Sequence, residues 1–482
     1  MSGPFGTLLR AMRRLLLPMI LALLTIGSGL AAIEADAPAA REGRTPGPEP
    51  HLTTPVLSAR RVPELLADPV GDRRLNQAMA DLVARSPAGT CLSVQVNGED
   101  RYAHQADLAL VPASAEKLVT ALAALEVLGS ETRFRTSVTA FAPPTGGIVE
   151  GDLWLVGTGD PLLATDDYVG RFSRQPQVHT DLEALADAIA ATGVREVRGR
   201  LIGDESRFDA TRYVPSWPPR YIDQDQTGPL SALTVNDGFV QFPRGQGAGG
   251  PVEPAPDPPN HAAGVLAFLL GQRGVSVLGG PASGQGPPET VEVAGVDSPP
   301  VRDIVGQMLT ESDNMTAELL LKQIAVVRGV RGSTAAGAAE ATRVLAAQGL
   351  PLAGVQVVDG SGLDEGNRLT CTLLQELLEL AGPDSMLAAG LPVAGRTGTL
   401  AERFVGTAAE ERLRAKTGTL HSVTSLAGFV ESNSGRQLSF SYVVNAESIG
   451  DDVVSLQTEL GDRLARYPEV PPLDELGPRP AG

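Results

Sequence analysis

The chain has 482 residues, which is too long for one ordinary domain and suggests two or three. Its hydrophobic content of 42% is enough to form sizeable cores, and its formal net charge of −18 at pH 7 argues against binding to nucleic acid. Length, composition and charge therefore favour a soluble, acidic, globular protein. They leave its function to be sought in local motifs.

The N-terminal segment 1–34 is typical of a targeting sequence. Arg10, Arg13 and Arg14 precede an apolar stretch, and small residues that offer cleavage sites follow it. Because the apolar stretch is at the margin of membrane-spanning length, the sequence leaves open both a cleaved signal peptide and an uncleaved N-terminal anchor. We expect the protein to be exported, with 35–70 as a Pro/Ala-rich tether and no other contact with the membrane.

Residues 73–110 are predicted to form a helix followed by a hairpin. A helical pattern runs as far as Ser86, and two strand-like runs follow it. Asn97 and Gly98 lie between these runs, and this dipeptide is typical of a tight hairpin turn.

The stretch 111–129 contains the next predicted helix. Leucines recur at helical spacing after Pro112, and Gly129 stands where a helix stop belongs. Ser114 and Lys117 open this helix three residues apart, so we expect their side chains to project from one face at its N-terminal end. A lysine amine that is held neutral can remove the proton of a serine hydroxyl and make it a nucleophile.

Lysine is rare in this chain, and its positions are informative. Of the 39 Lys and Arg residues, only Lys117, Lys322 and Lys416 are lysine. Arginine cannot lose its proton at working pH. A chain that uses arginine for nearly every cation but keeps lysine at position 117 therefore indicates a need for a titratable amine there.

Residues 133–300 have a different character, which predicts an inserted domain. They contain short strand-like runs, a helix at 181–192 and a Gly/Pro-rich loop at 244–260. Trp217 and the prolines near it are expected to pack this insert.

Long helical patterns return at 301–328 and are interrupted by Ser312, Asp313 and Asn314. All three residue types cap helices well, so a helix cap is the alternative to a catalytic role. We favour the catalytic role because Ser312–Asn314 lie between two motifs that carry lysine, one at 114–117 and one at 416–418. Ser312 can pass a proton between the lysines and a leaving group, while Asn314 can hold Lys117 and a substrate amide.

Residues 414–445 are predicted to form three antiparallel strands. The first strand carries Lys416, Thr417 and Gly418, and an edge position would let it line up beside an extended peptide. Gly418 would allow the two backbones to come close. A similar run at 396–399 lacks the lysine and is expected to be structural.

The C-terminal part is predicted to contain one more helix. An amphipathic pattern at 451–466 would place this helix over the sheet, and the Pro-rich segment 469–482 is expected to be a loose tail.

Cysteine and histidine give no strong signal. Cys91 and Cys371 are the only cysteines, and the sequence leaves open whether they pair or are two small buried side chains. The five histidines have no metal-ligand spacing, so no metal site is predicted. A Ser-His-Asp triad is the alternative to a lysine base, but no G-x-S-x-G turn surrounds Ser114, which favours the lysine.

The three motifs S-x-x-K, S-D-N and K-T-G each occur once, in this order. This is the signature of penicillin-binding proteins and class A β-lactamases. The chain resembles D-alanyl-D-alanine carboxypeptidases/endopeptidases of the penicillin-binding protein 4 type (serine peptidase family S13), the group with a large insertion between the first two motifs. Three further stretches support the resemblance: 229–237, 359–363 and 391–400.

The resemblance implies an α/β (α+β) fold of the penicillin-binding protein and β-lactamase type, with an antiparallel sheet flanked by helices. The acyl-transferase domain would comprise 71–132 and 301–468, and 133–300 would be a smaller inserted domain.

The resemblance also implies a role for each site residue. Ser114 would be the nucleophile and Lys117 the base, and the full catalytic set would be Ser114, Lys117, Ser312, Asn314 and Lys416. Backbone N–H groups of Ser114 and Thr419 would stabilise the oxyanion, and the loss of one such donor typically raises the barrier by about 3–4 kcal/mol. Substrate would be bound along Thr417, Gly418 and Thr419.

The implied function is the trimming of peptidoglycan stem peptides in the cell-wall space. The protein would act as a carboxypeptidase, with endopeptidase activity left open, and β-lactams would inhibit it covalently. No cofactor and no nucleic-acid partner are implied. The alternatives are a β-lactamase or esterase with the same acylation chemistry, and a cell-wall binding protein that has lost turnover. The intact motif residues argue against the second alternative.

Overall fold

The computed structural model describes residues 58–62, 64–172, 178–245 and 249–478. The targeting segment predicted at 1–34 lies outside the described residues. Val62–Leu476 form one compact unit, which contains every element discussed below. None of the described helices is long and apolar enough to cross a membrane.

The elements alternate irregularly along the chain. The strands are β1 (Gly89–Val96), β2 (Glu99–His104), β3 (Arg135–Ala140), β4 (Ile148–Val149), β5 (Leu153–Val156), β6 (Leu163–Ala164), β7 (Thr180–Asp181), β8 (Glu196–Val197), β9 (Leu201–Asp204), β10 (Phe239–Gln241), β11 (Glu253–Pro254), β12 (Ser276–Val277), β13 (Pro281–Ser283), β14 (Val291–Asp297), β15 (Leu413–Leu420), β16 (Val423–Glu431) and β17 (Gln437–Asn445). The helices are α1 (Glu64–Arg85), α2 (Lys117–Leu128), α3 (Asp166–Val169), α4 (Leu182–Ala191), α5 (Arg220–Asp223), α6 (Pro258–Gln272), α7 (Val301–Glu311), α8 (Asn314–Val327), α9 (Thr334–Ala347), α10 (Cys371–Ala381), α11 (Met386–Ala389), α12 (Asp451–Ala465) and α13 (Leu473–Leu476).

The larger sheet has the strand order β15-β16-β17-β1-β2, and all of its neighbouring strands are antiparallel. β1 and β2 form the predicted hairpin. Its turn residues Asn97 and Gly98 have φ angles of 51° and 76°, as a two-residue hairpin turn requires. β15, the strand of Lys416, lies at one edge of the sheet, as predicted.

Different helices cover the two faces of this sheet. Side chains at even positions of β17, from Leu438 to Val444, pack with α1 and α12 in one hydrophobic cluster. Val443 points to the opposite face, where a second cluster includes α2, α7, α8 and α10. Because successive side chains of a strand point to opposite faces, the buried pattern of β17 requires helices on both sides. The antiparallel sheet flanked by helices is confirmed.

Cys91 on β1 and Cys371 at the start of α10 form a disulfide, so the pairing that the sequence left open is present. The bond ties the sheet to a helix of the second cluster. The two cysteines are 280 residues apart, and a disulfide that closes so long a loop restricts the unfolded chain strongly. Such bonds typically add about 2–4 kcal/mol to the free energy of unfolding.

A second five-stranded sheet, of order β13-β9-β5-β3-β14, lies in the region 135–297. It is mixed, because β13, β9 and β5 are parallel while β3 pairs antiparallel with β5 and β14. α4 and α6 pack on it in a hydrophobic cluster of their own. The helix predicted at 181–192 is α4. The loop predicted at 244–260 is too long, since α6 already begins at Pro258, where the Asp257 side chain caps it.

The ends of the compact unit are more ordered than the sequence suggested. α1 begins at Glu64, inside the segment expected to be a tether. α12 covers the sheet as predicted for 451–466. The segment expected to be a loose tail contains α13, and its last residue, Leu476, is buried.

α8 connects the two sheet regions. Lys322 on α8 is fully buried, and its Nζ donates to Asp209 Oδ1 at 2.5 Å. The next residue, Gln323, accepts from Arg207 Nε at 2.9 Å and donates to the carbonyl of Thr158. The third lysine of the chain therefore forms a buried ion pair that fixes the 135–297 region to the helices of the larger sheet.

Candidate active site

Ser114 lies in a single 3-10 turn, Ala113–Glu116, directly before α2. The prediction that Ser114 opens the α-helix is wrong by one turn, because the α-helix starts at Lys117. Ala113 has a left-handed φ of 49°, which is uncommon for a residue other than glycine. Ser425 Oγ on β16 donates to the Pro112 carbonyl at 2.7 Å. Contacts with the sheet therefore hold this turn and keep Ser114 only half-buried.

Lys117 is the first residue of α2 and is fully buried. Its Nζ lies 2.9 Å from Ser114 Oγ, 2.7 Å from Asn314 Oδ1 and 2.6 Å from the carbonyl oxygen of Ser361. A neutral amine has two N–H groups and one lone pair. Because Asn314 and Ser361 offer acceptor oxygens, they can take the two N–H groups, and the lone pair is left to face the Ser114 hydroxyl. This is the arrangement that a general base requires.

The environment of Lys117 favours a neutral amine. Burial lowers the pKa of Lys117 to about 8, against the opposing effect of nearby carboxylates on Asp359, Asp313, Glu318 and Glu116. A large fraction of the amine is therefore neutral near pH 8, whereas an arginine at this position would stay charged.

The second motif lies at the junction of α7 and α8, where it acts both as a helix cap and as part of the site. The carboxylate of Asp313 caps α8 by accepting from the backbone N–H three residues further on. Ser312 ends α7 in a left-handed conformation, with φ of 62°. Asn314 Nδ2 donates to the carbonyl of Gln226 at 2.7 Å, which directs Oδ1 of the same amide to Lys117.

Lys416 is a second fully buried lysine of the site and lies on β15. Its Nζ donates to Ser312 Oγ and to the Thr417 carbonyl, each at 2.8 Å. Burial, followed by the nearby charge of Lys117, lowers the pKa of Lys416 well below its usual range. The three motifs therefore come together as two serine–lysine pairs, with Asn314 bound to the first lysine and two residues from the serine of the second.

Gly418 allows β15 to pass close to the Ser114 turn. A Cβ added at Gly418 would lie 2.2 Å from Ser425 Oγ and 2.9 Å from the backbone nitrogen of Ser114. No other residue fits without a shift of the strand. Thr417 is largely buried beside this contact, whereas Thr419 is exposed. The predicted substrate-binding residues therefore lie on an edge strand next to the Ser114 turn.

The run 396–399, which the sequence suggested was only structural, contacts the third motif. Thr417 Oγ1 donates to Thr399 Oγ1 at 2.8 Å. Gly398 has φ of 51°, and a Cβ there would lie 2.0 Å from the Thr310 carbonyl oxygen. The run does have a structural role against the end of α7, but the expectation was too narrow, because Thr399 also touches a candidate site residue.

Sequence reasoning missed a set of buried groups behind Lys117. Glu318 and Asp359 are fully buried carboxylates near the lysine, and they bind the backbone of the loop that carries Ser361. Trp217 is buried, as expected for packing of the insert, and its Nε1 also donates to Asp359 Oδ2 at 2.8 Å. One signal was available, since Glu318 interrupts an otherwise apolar run of α8 that leads to Leu321.

The fold and the two serine–lysine pairs define an acyl-transferase of the penicillin-binding protein type. A crystal structure of penicillin-binding protein 4 from Haemophilus influenzae has a similar fold, with a TM-score of 0.67 and 22% sequence identity. The similarity covers 80% of this chain and 99% of that one.

Sequence comparison identifies the family. The model of the D-Ala-D-Ala carboxypeptidase 3 (S13) family matches residues 73–254 and 252–466. A D-alanyl-D-alanine carboxypeptidase from Actinomadura sp. (strain R39) is 33% identical over 485 aligned residues, which cover 83% of this chain and 87% of that protein. A carboxypeptidase from Mycobacterium tuberculosis is 31% identical, covering 83% of this chain and 86% of the relative.

The chain belongs to the D-Ala-D-Ala carboxypeptidase 3 (S13) family. It is a serine-type D-Ala-D-Ala carboxypeptidase, and the family and enzyme class that the three motifs indicated are confirmed.

Proposed function

We propose that this enzyme removes the terminal D-alanine of peptidoglycan stem peptides through an acyl-enzyme on Ser114. The observation that carries this proposal is the 2.9 Å contact between Ser114 Oγ and the Nζ of a buried lysine whose two N–H groups have fixed acceptors, Asn314 Oδ1 and the Ser361 carbonyl. Ser114 Oγ attacks the carbonyl carbon of the penultimate D-alanine, and its proton passes to the lone pair of Lys117.

The second serine–lysine pair is suited to protonate the leaving group. When the peptide bond breaks, the amine of the terminal D-alanine needs a proton. Ser312 Oγ can donate its own proton and receive one from Lys416, which lies 2.8 Å away. Water then attacks the acyl-enzyme, and the proton that it loses passes through Ser312 to Lys416. Lys117 returns its proton to Ser114 Oγ as the ester bond breaks, which releases the shortened peptide and restores both serine–lysine pairs.

Binding of the substrate would change the charge of Lys416. Burial and the nearby charge of Lys117 favour the neutral form of Lys416. The terminal carboxylate of a stem peptide, bound by Thr417 and Thr419, would bring a negative charge to β15 and favour the ammonium form. Backbone N–H groups of Ser114 and Thr419 are the proposed donors to the oxyanion.

We infer that the enzyme acts outside the cytoplasmic membrane. The disulfide between Cys91 and Cys371 supports an oxidising compartment. The charged and apolar segment at 1–34 supports export. Covalent inhibition by β-lactams in this compartment is part of the same proposal.

We also propose that 71–132 and 301–468 act as one catalytic domain interrupted by an inserted domain at 133–300. The two sheets have separate hydrophobic clusters, which supports this division. α8 joins the two through the ion pair of Lys322 with Asp209.

Release of free D-alanine from a synthetic stem pentapeptide tests the proposed function. The wild-type protein, without its first 57 residues, should release one D-alanine per peptide, and Ser114→Ala should release none. Ser422→Ala, on the turn between β15 and β16, serves as a matched serine control and should retain activity. Release of D-alanine by Ser114→Ala at the wild-type rate would overturn the proposal.

A further inference from the structure

The loop 359–363 holds one of the three hydrogen-bond partners of Lys117, and two buried carboxylates bind its backbone. The Ser361 carbonyl lies 2.6 Å from Lys117 Nζ. The neighbouring Gly360 carbonyl accepts from Thr120 Oγ1 at 2.7 Å, so two successive carbonyls point towards α2. A peptide backbone with its carbonyls on one side must place its N–H groups elsewhere, and these N–H groups are buried.

Glu318 on α8 receives those N–H groups. Its Oε1 accepts from the N–H of Gly360 at 2.9 Å and from the N–H of Ser361 at 2.8 Å. Its Oε2 has no hydrogen-bond partner among the described residues. Glu318 is fully buried and lies four residues after Asn314 on α8. The same helix therefore carries Asn314, which binds Lys117 directly, and Glu318, which holds the Ser361 carbonyl in place.

Asp359 holds the other end of the same loop. Its Oδ1 accepts from the Gly362 N–H at 2.8 Å and from Asn367 Nδ2 at 2.7 Å. Its Oδ2 accepts from Trp217 Nε1 at 2.8 Å, which extends the support into the 135–297 region. Gly362 has φ of 82°, and a Cβ there would lie 1.9 Å from the Ala113 carbonyl oxygen, so the loop packs tightly against the Ser114 turn.

We propose that Glu318 is a positioning residue for the base: it fixes the 359–363 loop so that the Ser361 carbonyl takes one N–H of Lys117 and leaves the lone pair directed at Ser114. Without this acceptor the amine can rotate and present an N–H to the serine hydroxyl, and in that orientation it cannot accept the serine proton. This inference rests on the proposed roles of Ser114 and Lys117.

Other charged groups around Lys117 must be separated from this effect. Glu116 comes from the 3-10 turn, Asp313 and Glu318 from the start of α8, Asp359 from the loop, and Lys416 from β15. Glu116 is the useful control. It is fully buried next to Lys117, but neither of its carboxylate oxygens has a hydrogen-bond partner among the described residues. Burial raises the pKa of Glu116 well above its usual range, so Glu116→Gln removes a buried carboxyl without changing the loop.

The test compares Glu318→Gln, Glu318→Leu and Glu116→Gln by the second-order rate of penicillin acylation between pH 5 and 10. The amide oxygen of glutamine can still accept both loop N–H groups, so Glu318→Gln should acylate within about threefold of wild type. Leucine has a similar size but accepts nothing, and Glu318→Leu should be slower by about 10²-fold at its optimum, as expected for a misplaced catalytic group. Glu116→Gln should resemble wild type.

The shape of the pH profile separates positioning from simple loss of structure. Burial, followed by the nearby charge of Asp359, raises the pKa of Glu318 to about 8, so Glu318 is negative only in the upper part of this pH range. Both Glu318 variants lose that charge, so the part of the rate increase above about pH 8 should move to lower pH. Loss of folded protein would lower the amplitude and leave this midpoint unchanged, and titration of the active fraction corrects for it. Wild-type rates in Glu318→Leu, or a Glu318→Gln variant as slow as Glu318→Leu, would overturn the inference. If wild-type protein were not acylated at Ser114, the proposed function itself would fail.

Discussion

The larger sheet and the region 135–297 differ in the length of their strands and in how far apart along the chain the strands of each lie. In the larger sheet β1, β15, β16 and β17 are eight or nine residues long, and β1 pairs with a strand that lies about 350 positions further along the chain. In the 135–297 region the paired strands are two to seven residues long, and each of the four sheets described there is built from strands of that region. The three motifs lie on elements of the first kind or on helices packed against them.

The proposed reacting groups belong to the larger sheet and its helices, whereas the 135–297 region contributes residues that hold them in place. The reacting groups proposed here project from the 3-10 turn of Ser114 and the start of α2, from the link between α7 and α8, and from β15. The 135–297 region contributes Gln226, Trp217 and Asp209, which contact Asn314, Asp359 and Lys322 respectively. We therefore expect substitutions in the motifs to change acylation with little effect on folding. Substitutions at the contact between Lys322 of α8 and Asp209 should instead lower stability with little effect on acylation.

The largest expected effect comes from exchanging the two site lysines for arginine. Lys117→Arg cannot provide a neutral base, so its acylation rate should fall by roughly 10²–10⁴, the range typical for loss of a general base. Lys416→Arg places a cation and hydrogen-bond donors near Ser312 but cannot pass a proton to it, so it should acylate more slowly than wild type. It should still acylate faster than Lys117→Arg, in which the base itself is lost. The measurement is the second-order rate with a β-lactam, with circular dichroism as the control for folding. Near-normal rates in Lys117→Arg would place the base elsewhere.

Loss of the Lys322–Asp209 ion pair should lower stability rather than the acylation rate. Asp209→Asn leaves the fully buried Lys322 without its charged partner, and breaking such a pair typically lowers the free energy of unfolding by about 3–5 kcal/mol. The exposed pair of Arg198 with Glu150 is the matched control, because solvent screens it and Glu150→Gln should leave stability nearly unchanged. Denaturant unfolding measures both. Equal stabilities of the two variants would show that the Lys322–Asp209 ion pair does not stabilise the protein.

The pH dependence of wild-type acylation should report the base. Only neutral Lys117 can accept the proton, and its neutral fraction grows as pH rises through the pKa of about 8. The rate should therefore rise by roughly 50-fold from pH 6 to pH 8 and level off above it, as for a single titrating base. Stopped-flow acylation across this range measures the profile. A rate that is flat or falls between pH 6 and pH 8 would contradict a neutral lysine base.

The smallest effect is expected at Thr399. Thr399→Val keeps the size of the side chain but removes the acceptor of the Thr417 hydroxyl. The hydroxyl can then rotate, and the loss of one such hydrogen bond corresponds to about 1 kcal/mol, or roughly a fivefold weaker interaction with a peptide carboxylate. KM for the stem pentapeptide should rise while the melting temperature stays nearly unchanged. An unchanged KM would show that Thr399 does not affect substrate binding and that the 396–399 run has only a structural role.

The sequence predicted the elements that local signals define. Asn97 and Gly98 marked the first hairpin, and Gly129 ended α2. These two predictions succeeded because turn and helix-stop chemistry are properties of the residues themselves. The scarcity of lysine drew attention to Lys117, whose role as a base stays a prediction, but Lys322 is equally rare and forms an ion pair with Asp209.

Other features depend on tertiary contacts and could not be predicted in this way. The 3-10 turn at Ser114 is fixed by Ser425 and Gly418, which lie about 300 residues further along the chain. Glu318 and Asp359 are residue types that usually lie at the surface. The apolar run around Glu318 is a local sign of its burial, but no such sign marks Asp359. The same holds for Thr399, whose partner Thr417 is reached only when β15 takes its place at the sheet edge.

The central claim, that Ser114 is acylated with the help of Lys117, is tested most directly by mass spectrometry of the protein after exposure to penicillin. The account predicts an increase by the mass of one penicillin molecule, located by peptide mapping on the peptide that contains Ser114. Ser114→Ala should stay unmodified, although its melting temperature matches that of wild type. An adduct on any other residue, or equal labelling of Ser114→Ala, would contradict the account.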